Sequence, residues 1–115
     1  MSHEFETTIK RLIGYKAVIT EMIPTLVKLE IKNIDTRVKY CIEAIDQTIN
    51  DLQNHKLNDA KNHLLGVKEL LHTITIDYCT ASPRSSLAID PNYQDLQRLV
   101  GYFLPGIIGY IESKK

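Results

Sequence analysis

The chain has 115 residues, 43% of them hydrophobic, and its fourteen Lys and Arg residues are matched by fourteen Asp and Glu. That is enough chain for one domain burying about two thirds of the surface exposed on unfolding, with no need of a disulfide or metal staple. The cancelled charge, with neither sign gathered into a block, excludes the broad electrostatic footprint of a nucleic-acid binder.

The start, Met1-Ser2-His3-Glu4, lacks the basic residues and apolar run of a signal peptide, so a cytoplasmic location is expected. Ser2 is a candidate N-cap, with Glu4 and Glu6 placed to favour the dipole of the helix that follows. Phe5, Ile9, Leu12, Ile19, Ile23, Leu26 and Val27 share one face at about 100° per residue. The stripe runs through Pro24, whose missing donor and bulky ring predict a kink or a break around Met22 to Pro24. Lys10, Arg11 and Lys16, joined by Lys28, Lys32, Arg37 and Lys39, could form a positive patch. Glu21, Glu30 and Asp35 dilute it, which favours a solvated face over a DNA-reading surface.

Asn33 and Asp35 signal a second helix running to about Gln53, with Ile34, Val38, Cys41, Ile42, Ile45, Ile49 and Leu52 stacked on one side. Asn54-His55-Lys56 ends it. A third helix follows with the stripe Leu57, Ala60, Leu64, Val67, Leu71, Ile74 and Tyr78, and the short connection makes the two neighbours antiparallel. Thr73 to Ile76 is β-branched, yet the helical register continues to Tyr78. In such a hairpin Cys79 lies about 13 Å along the axis from the level of Cys41. A disulfide needs Cα atoms within about 7 Å, so both cysteines read as free thiols. In size, neutrality and helix count the chain resembles the small helical immunity proteins of bacteriocin producers, and the hairpin from Ile34 to Tyr78 is similar in style to helical secretion chaperones. Those resemblances imply binding to another protein and assign no residue a role.

Thr80 to Asp90, with Ser82, Pro83, Ser85 and Ser86, reads as a linker. Asp90-Pro91 is an N-cap followed by proline at the first helical position. Tyr93, Leu96, Val100, Phe103, Ile107 and Tyr110 then fit one inward face, interrupted by Pro105. The mainly apolar window from Leu99 to Ile111 is too short to cross a bilayer, and too apolar for a single core face. Tyr102, Leu104, Ile108 and Ile111 flank that face and are expected to stay partly exposed, as a surface for another protein or for a second copy of the chain. Gly101 and Gly109 would allow close approach.

Residues able to do chemistry are sparse. His55, Asp59 and His63 are spaced four apart, as zinc ligands on a helix can be, but the set is incomplete and no structural metal is expected. Only Glu69 and His72 match the Glu-x-x-His spacing of di-iron bundles, which require it twice. The linker serines lack a nucleophile elbow, and Gly101, Gly106 and Gly109 lack the lysine of a phosphate loop, so no cofactor is expected. The sequence therefore predicts an all-α, up-and-down four-helix bundle over residues 1–115, with a linker at about 80–90, the first helix kinked at Pro24 and the last disturbed at Pro105. The expected function is that of a small protein-binding factor, an adaptor, chaperone, inhibitor or immunity-type protein. The alternative is a small metal-dependent or thiol-based enzyme using His55, Asp59 and His63, or Cys79.

Overall fold

The computed structural model describes residues 4–83 and 87–115. Ser2, and Arg84, Ser85 and Ser86 of the expected linker, lie outside the described residues. The described chain is helical and contains no strand: α1 (Glu6–Lys28), α2 (Ile34–Gln53), α3 (Leu57–Ala81), and a last helical stretch made of α4 (Pro91–Arg98), a π-helical segment (Leu99–Phe103) and α5 (Leu104–Ser113). Of the kink or break expected around Pro24, the break does not occur. α1 continues as one helix through the proline to Lys28.

Two of the helix ends are built alike. After α1, Glu30 has φ 57°, its N–H donates to the Val27 carbonyl at 2.9 Å, and the Ile31 N–H reaches back to Leu26 at 3.4 Å. After α2, His55 has φ 57°, its N–H donates to Leu52 at 3.2 Å, and the Lys56 N–H reaches Asp51 at 2.7 Å. These are Schellman closures, which satisfy the last carbonyls of each helix by turning one residue left-handed. Neither position holds glycine, so each carries the steric cost of a Cβ in that region. At the start of α4, Asp90 caps as the sequence predicts. Its Oδ1 accepts from the Asn92 N–H at 2.9 Å, with Pro91 in the first turn.

The core follows from the stripes. All seven predicted residues of α3, from Leu57 to Tyr78, are buried against Val38, Cys41, Ile45 and Leu52 of α2, and Leu12, Ile19, Met22 and Leu26 of α1 close the other side. Val27, assigned inward from the sequence, is instead exposed, and Met22 takes the inward position. Polar pairs bind the same neighbours: Arg37 to Asp77 at 2.7 Å and His63 to Asp51 at 2.6 Å join α2 to α3, Lys16 pairs with Asp46 between α1 and α2, and Lys61 pairs with Glu112 between α3 and α5.

The last stretch departs from the sequence expectation at one point. Its buried residues are Leu96, Leu99, Leu104, Ile107 and Ile111, so the inward step from Leu99 to Leu104 is five residues where an α-helix would take three or four. The π segment supplies that step, with the Leu104 N–H bonded to the Leu99 carbonyl. Proline explains its position. Inside an α-helix the Pro105 ring would crowd a carbonyl one turn back, whereas a wider turn ahead of Leu104 makes Pro105 part of a new first turn, where proline is tolerated. Val100 and Phe103, predicted inward, are only half-buried as a result.

The left-handed residues give a direct check on the helix ends. Glu30 is exposed, so replacing it with glycine removes only the strained Cβ, and Glu30→Gly is expected to stabilise the protein by about 1 kcal/mol in urea unfolding. A destabilised variant would mean that this turn is not held left-handed.

Candidate functional site

The histidines and the aspartate singled out as possible ligands are not brought together. His55 lies in the left-handed turn with its ring centroid 6.0 Å from that of Phe5, Asp59 is exposed, and His63 turns across the hairpin to Asp51. Asp51 was not flagged by spacing, yet it is the most deeply buried charged side chain described, accepting from Gln47 Nε2 at 3.1 Å and meeting His63 Nδ1 at 2.6 Å. A signal for it existed. Asp51 and His63 stand equally far either side of Leu57, as do Arg37 and Asp77, which is the pairing that a hairpin centred there imposes. Among the described residues, no group of three or more His, Cys, Asp and Glu side chains could hold a metal ion.

The two cysteines are unpaired. Burial pushes the Cys41 thiol up to about 12 against the weaker opposing pull of Arg37, so this sulfur is core filler and a poor nucleophile. Cys79 is half-buried in a shallow depression shared with His72, Ile76, Tyr93 and Val100. Burial first, then the neighbouring Cys79, raises the Tyr93 phenol. The Tyr78 phenol is pushed up to about 12, by burial first and then by its 2.5 Å hydrogen bond to the Asp90 carboxylate. Of the linker serines, Ser82 is buried and Ser85 and Ser86 lie outside the described residues.

The basic patch is largely neutralised. Lys10 pairs with Glu6, Lys16 with Asp46, Arg37 with Asp77 and Lys39 with Glu43. Arg11, Lys28 and Lys32 have no carboxylate partner among the described residues, and of these Arg11 stands beside a cleft.

The last helical stretch holds the strongest surface feature. Two of the four expected contact residues, Leu104 and Ile111, are fully buried at 0% exposure, because the five-residue step rotates them inward. Ile108 is half-buried against the core. Tyr102 goes the other way, to 75% exposure, the largest of any tyrosine in the described chain. With Phe103 it forms a ridge between two depressions. One runs over Gln94, Gln97 and Arg98; the other, about 430 Å³, lies between α1 and the last stretch. This second cleft lies where α1 and the last stretch make little close backbone approach, unlike α1 with α2, α2 with α3 and α3 with the last stretch, and the two meet through side chains. Tyr15 and Phe103 stack at 5.4 Å across one end of it. At the other, the Tyr110 hydroxyl donates to the Glu4 carbonyl at 3.0 Å. Thr7 and Arg11 edge one wall, and Gly106 and Ile107 the opposite one. Burial raises the Tyr15 phenol, against a smaller downward pull from the nearby Arg11 guanidinium. A Cβ built on Gly106 or Gly109 meets nothing within 4 Å, so no packing inside this chain requires glycine there.

The buried thiol and phenol predict an alkaline limit to stability. Native Cys41 holds its proton to about 12 while the unfolded thiol releases it near 9.0, so the unfolded state binds fewer protons over that interval and stability falls as pH rises through it. Tyr78 acts in the same sense from 10.0 to about 12. Urea midpoints should therefore hold below about pH 9 and drop above it, less steeply for Cys41→Val than for the wild type. Equal slopes would show that Cys41 ionises as freely folded as unfolded.

No family model matches the chain, and no curated protein or solved structure matches it, so its function has to be argued from its own residues and their geometry.

Proposed function

We propose that this chain is a small protein-binding factor, of the adaptor, chaperone, inhibitor or immunity type, acting through the outer face of its last helical stretch. The observation that carries the reading is the exposed Tyr102 ridge. A surface helix normally turns charged side chains to water, but between Arg98 and Glu112 this one has none, and its outward residues are Gly101, Tyr102, Gly106, Gly109 and Tyr110. Tyrosine offers a large anchoring area with few rotamers to freeze, and glycine lets a partner come close, at a cost to helix stability of about 1 kcal/mol each relative to alanine. Nothing within the monomer compensates that cost at Gly106 or Gly109. Of the four expected contact residues, Tyr102 is exposed and Ile108 half-buried, whereas Leu104 and Ile111 belong to the core.

In this reading the helices form an up-and-down four-helix bundle, bent at Pro24 and re-phased ahead of Pro105, that holds the surface rigid. The antiparallel sense is supported by Phe5 with Tyr110 and Tyr15 with Phe103, and by Lys61 with Glu112 and Tyr78 with Tyr93, in which one chain position rises as the other falls. The partner is another protein or a second copy of the chain. Action in the cytoplasm goes with two thiols that do not pair.

The test is affinity capture from the native host with wild-type protein and with Tyr102→Glu, paired with light scattering of both. The expected result is a protein, or a second copy, retained by the wild type and lost from a Tyr102→Glu variant whose circular dichroism is unchanged. Identical retention and identical mass would remove the last helix as the contact surface.

A further inference from the structure

The geometry points to the cleft between α1 and the last helical stretch as a docking site for an acidic peptide segment of the partner, one that presents an Asp or Glu carboxylate beside an aromatic side chain. This rests on the protein-binding reading and adds the chemistry of what is bound.

Shape comes first. The Tyr15 and Phe103 stack closes one end and Tyr110 with Glu4 closes the other, so the cleft is a bounded pit of about 430 Å³ and cannot accept the whole length of a partner helix. Its volume suits a short segment that inserts one large side chain. The aromatic rings on its walls favour an aromatic ring in stacked or edge contact, and Gly106 leaves the wall open at its middle.

Charge then selects the segment. Of the lysines near Arg11 in sequence, Lys10 has the Glu6 carboxylate within reach and Lys16 that of Asp46, and at the C-terminal end Lys114 has that of Glu4. Arg11 has no such partner among the described residues, and it is exposed on the cleft wall. The Glu4 carboxylate at the end of the pit is already engaged by Lys114 at 3.5 Å. What the pit offers an incoming ligand is therefore one uncompensated guanidinium beside phenol and phenyl rings. A guanidinium presents a planar fork of donors that matches a carboxylate in two parallel hydrogen bonds. Arginine among aromatic rings also suits single-stranded nucleic acid, but tracking a phosphate backbone needs several cations in a row, and Arg11 is the one cation among the described residues that line this cleft.

The experiment pans a phage-displayed library of random peptides, about twelve residues long, on the intact protein. Selected peptides are measured by fluorescence polarisation, with labelled oligo-dT as a second probe. Two variants fill the pit from opposite walls, Gly106→Phe and Thr7→Trp, each checked for fold by circular dichroism. Enriched peptides should carry Asp or Glu within about two residues of Phe, Tyr or Trp, and should be lost on whichever filled variant folds. Changing the peptide carboxylate to its amide should weaken binding about tenfold on the wild type and have little effect on Arg11→Gln, as for one charge-assisted pair. Peptides that need the pit but lose nothing on amidation would overturn the acidic-segment inference while leaving the protein-binding reading intact. No pit-dependent peptide, or oligo-dT bound more tightly than any peptide, would also overturn it, and the Tyr102→Glu capture then decides the broader reading separately.

Discussion

Pro105 is the constraint on which the last helical stretch depends. Proline has no N–H to continue the helix and its ring needs space one turn back, so the chain widens into a π turn over Leu99–Phe103 and starts a fresh helical turn at Leu104. A wider turn adds one residue to the inward repeat. That residue decides which side chains face the core: Leu99, Leu104, Ile107 and Ile111 form one buried line that a regular helix could not align, and Tyr102 is left on the outside. The aromatic ridge and the cleft beside it follow from that rotation.

The other helices supply a frame stiff enough to hold the feature in place. α2 and α3 share the densest apolar seam, and the buried Asp51 adds a polar requirement to it, since a carboxylate removed from water is costly unless its oxygens are bonded. Gln47 and His63 meet that requirement from the two helices, which fixes how far one can slide along the other. Arg37 does the same at the opposite end, through Asp77 and the Thr73 hydroxyl at 2.9 Å. α1 joins this pair mainly on the α2 side, and its looser relation to the last stretch is what opens the cleft.

Most of the fold was legible in the sequence because helical periodicity is a local signal. The α3 stripe, the turn at Asn54 to Lys56 and the Asp90 cap were all readable from residue types and spacing. The failures have separate causes. The last stretch was assigned by projecting one fixed angle per residue across a proline, and projection cannot see a change of pitch, whereas Val27 lies at the edge of a regular stripe whose centre the burial of Met22 shifts. In α1 the error was small: Val27 is exposed, Met22 is buried, and Ile9 and Ile23 are only partly buried. Ahead of Pro105 it moved a whole face, turning Leu104 and Ile111 from expected contact residues into core. Asp51 was missed for a different reason, since its partner is distant in sequence and only the hairpin geometry pairs them. The cleft was not legible at all, because it depends on two chain ends that the sequence gives no cue to juxtapose.

The re-phased helix can be tested by one measurement, the urea unfolding of a variant that lacks Gly101 and carries Pro105→Ala. Removing one residue converts the five-residue step into four, and removing the proline lets an ordinary α-helix span the site, so Leu99, Leu104, Ile107 and Ile111 remain on one face. A cooperative transition within about 1 kcal/mol of wild type is the predicted result. If instead the stretch were a regular helix, the deletion would rotate everything after it by about 100°, and three core side chains would leave the core at about 2 to 5 kcal/mol each. Loss of cooperative unfolding would contradict the re-phased helix and, with it, the surface assigned to Tyr102.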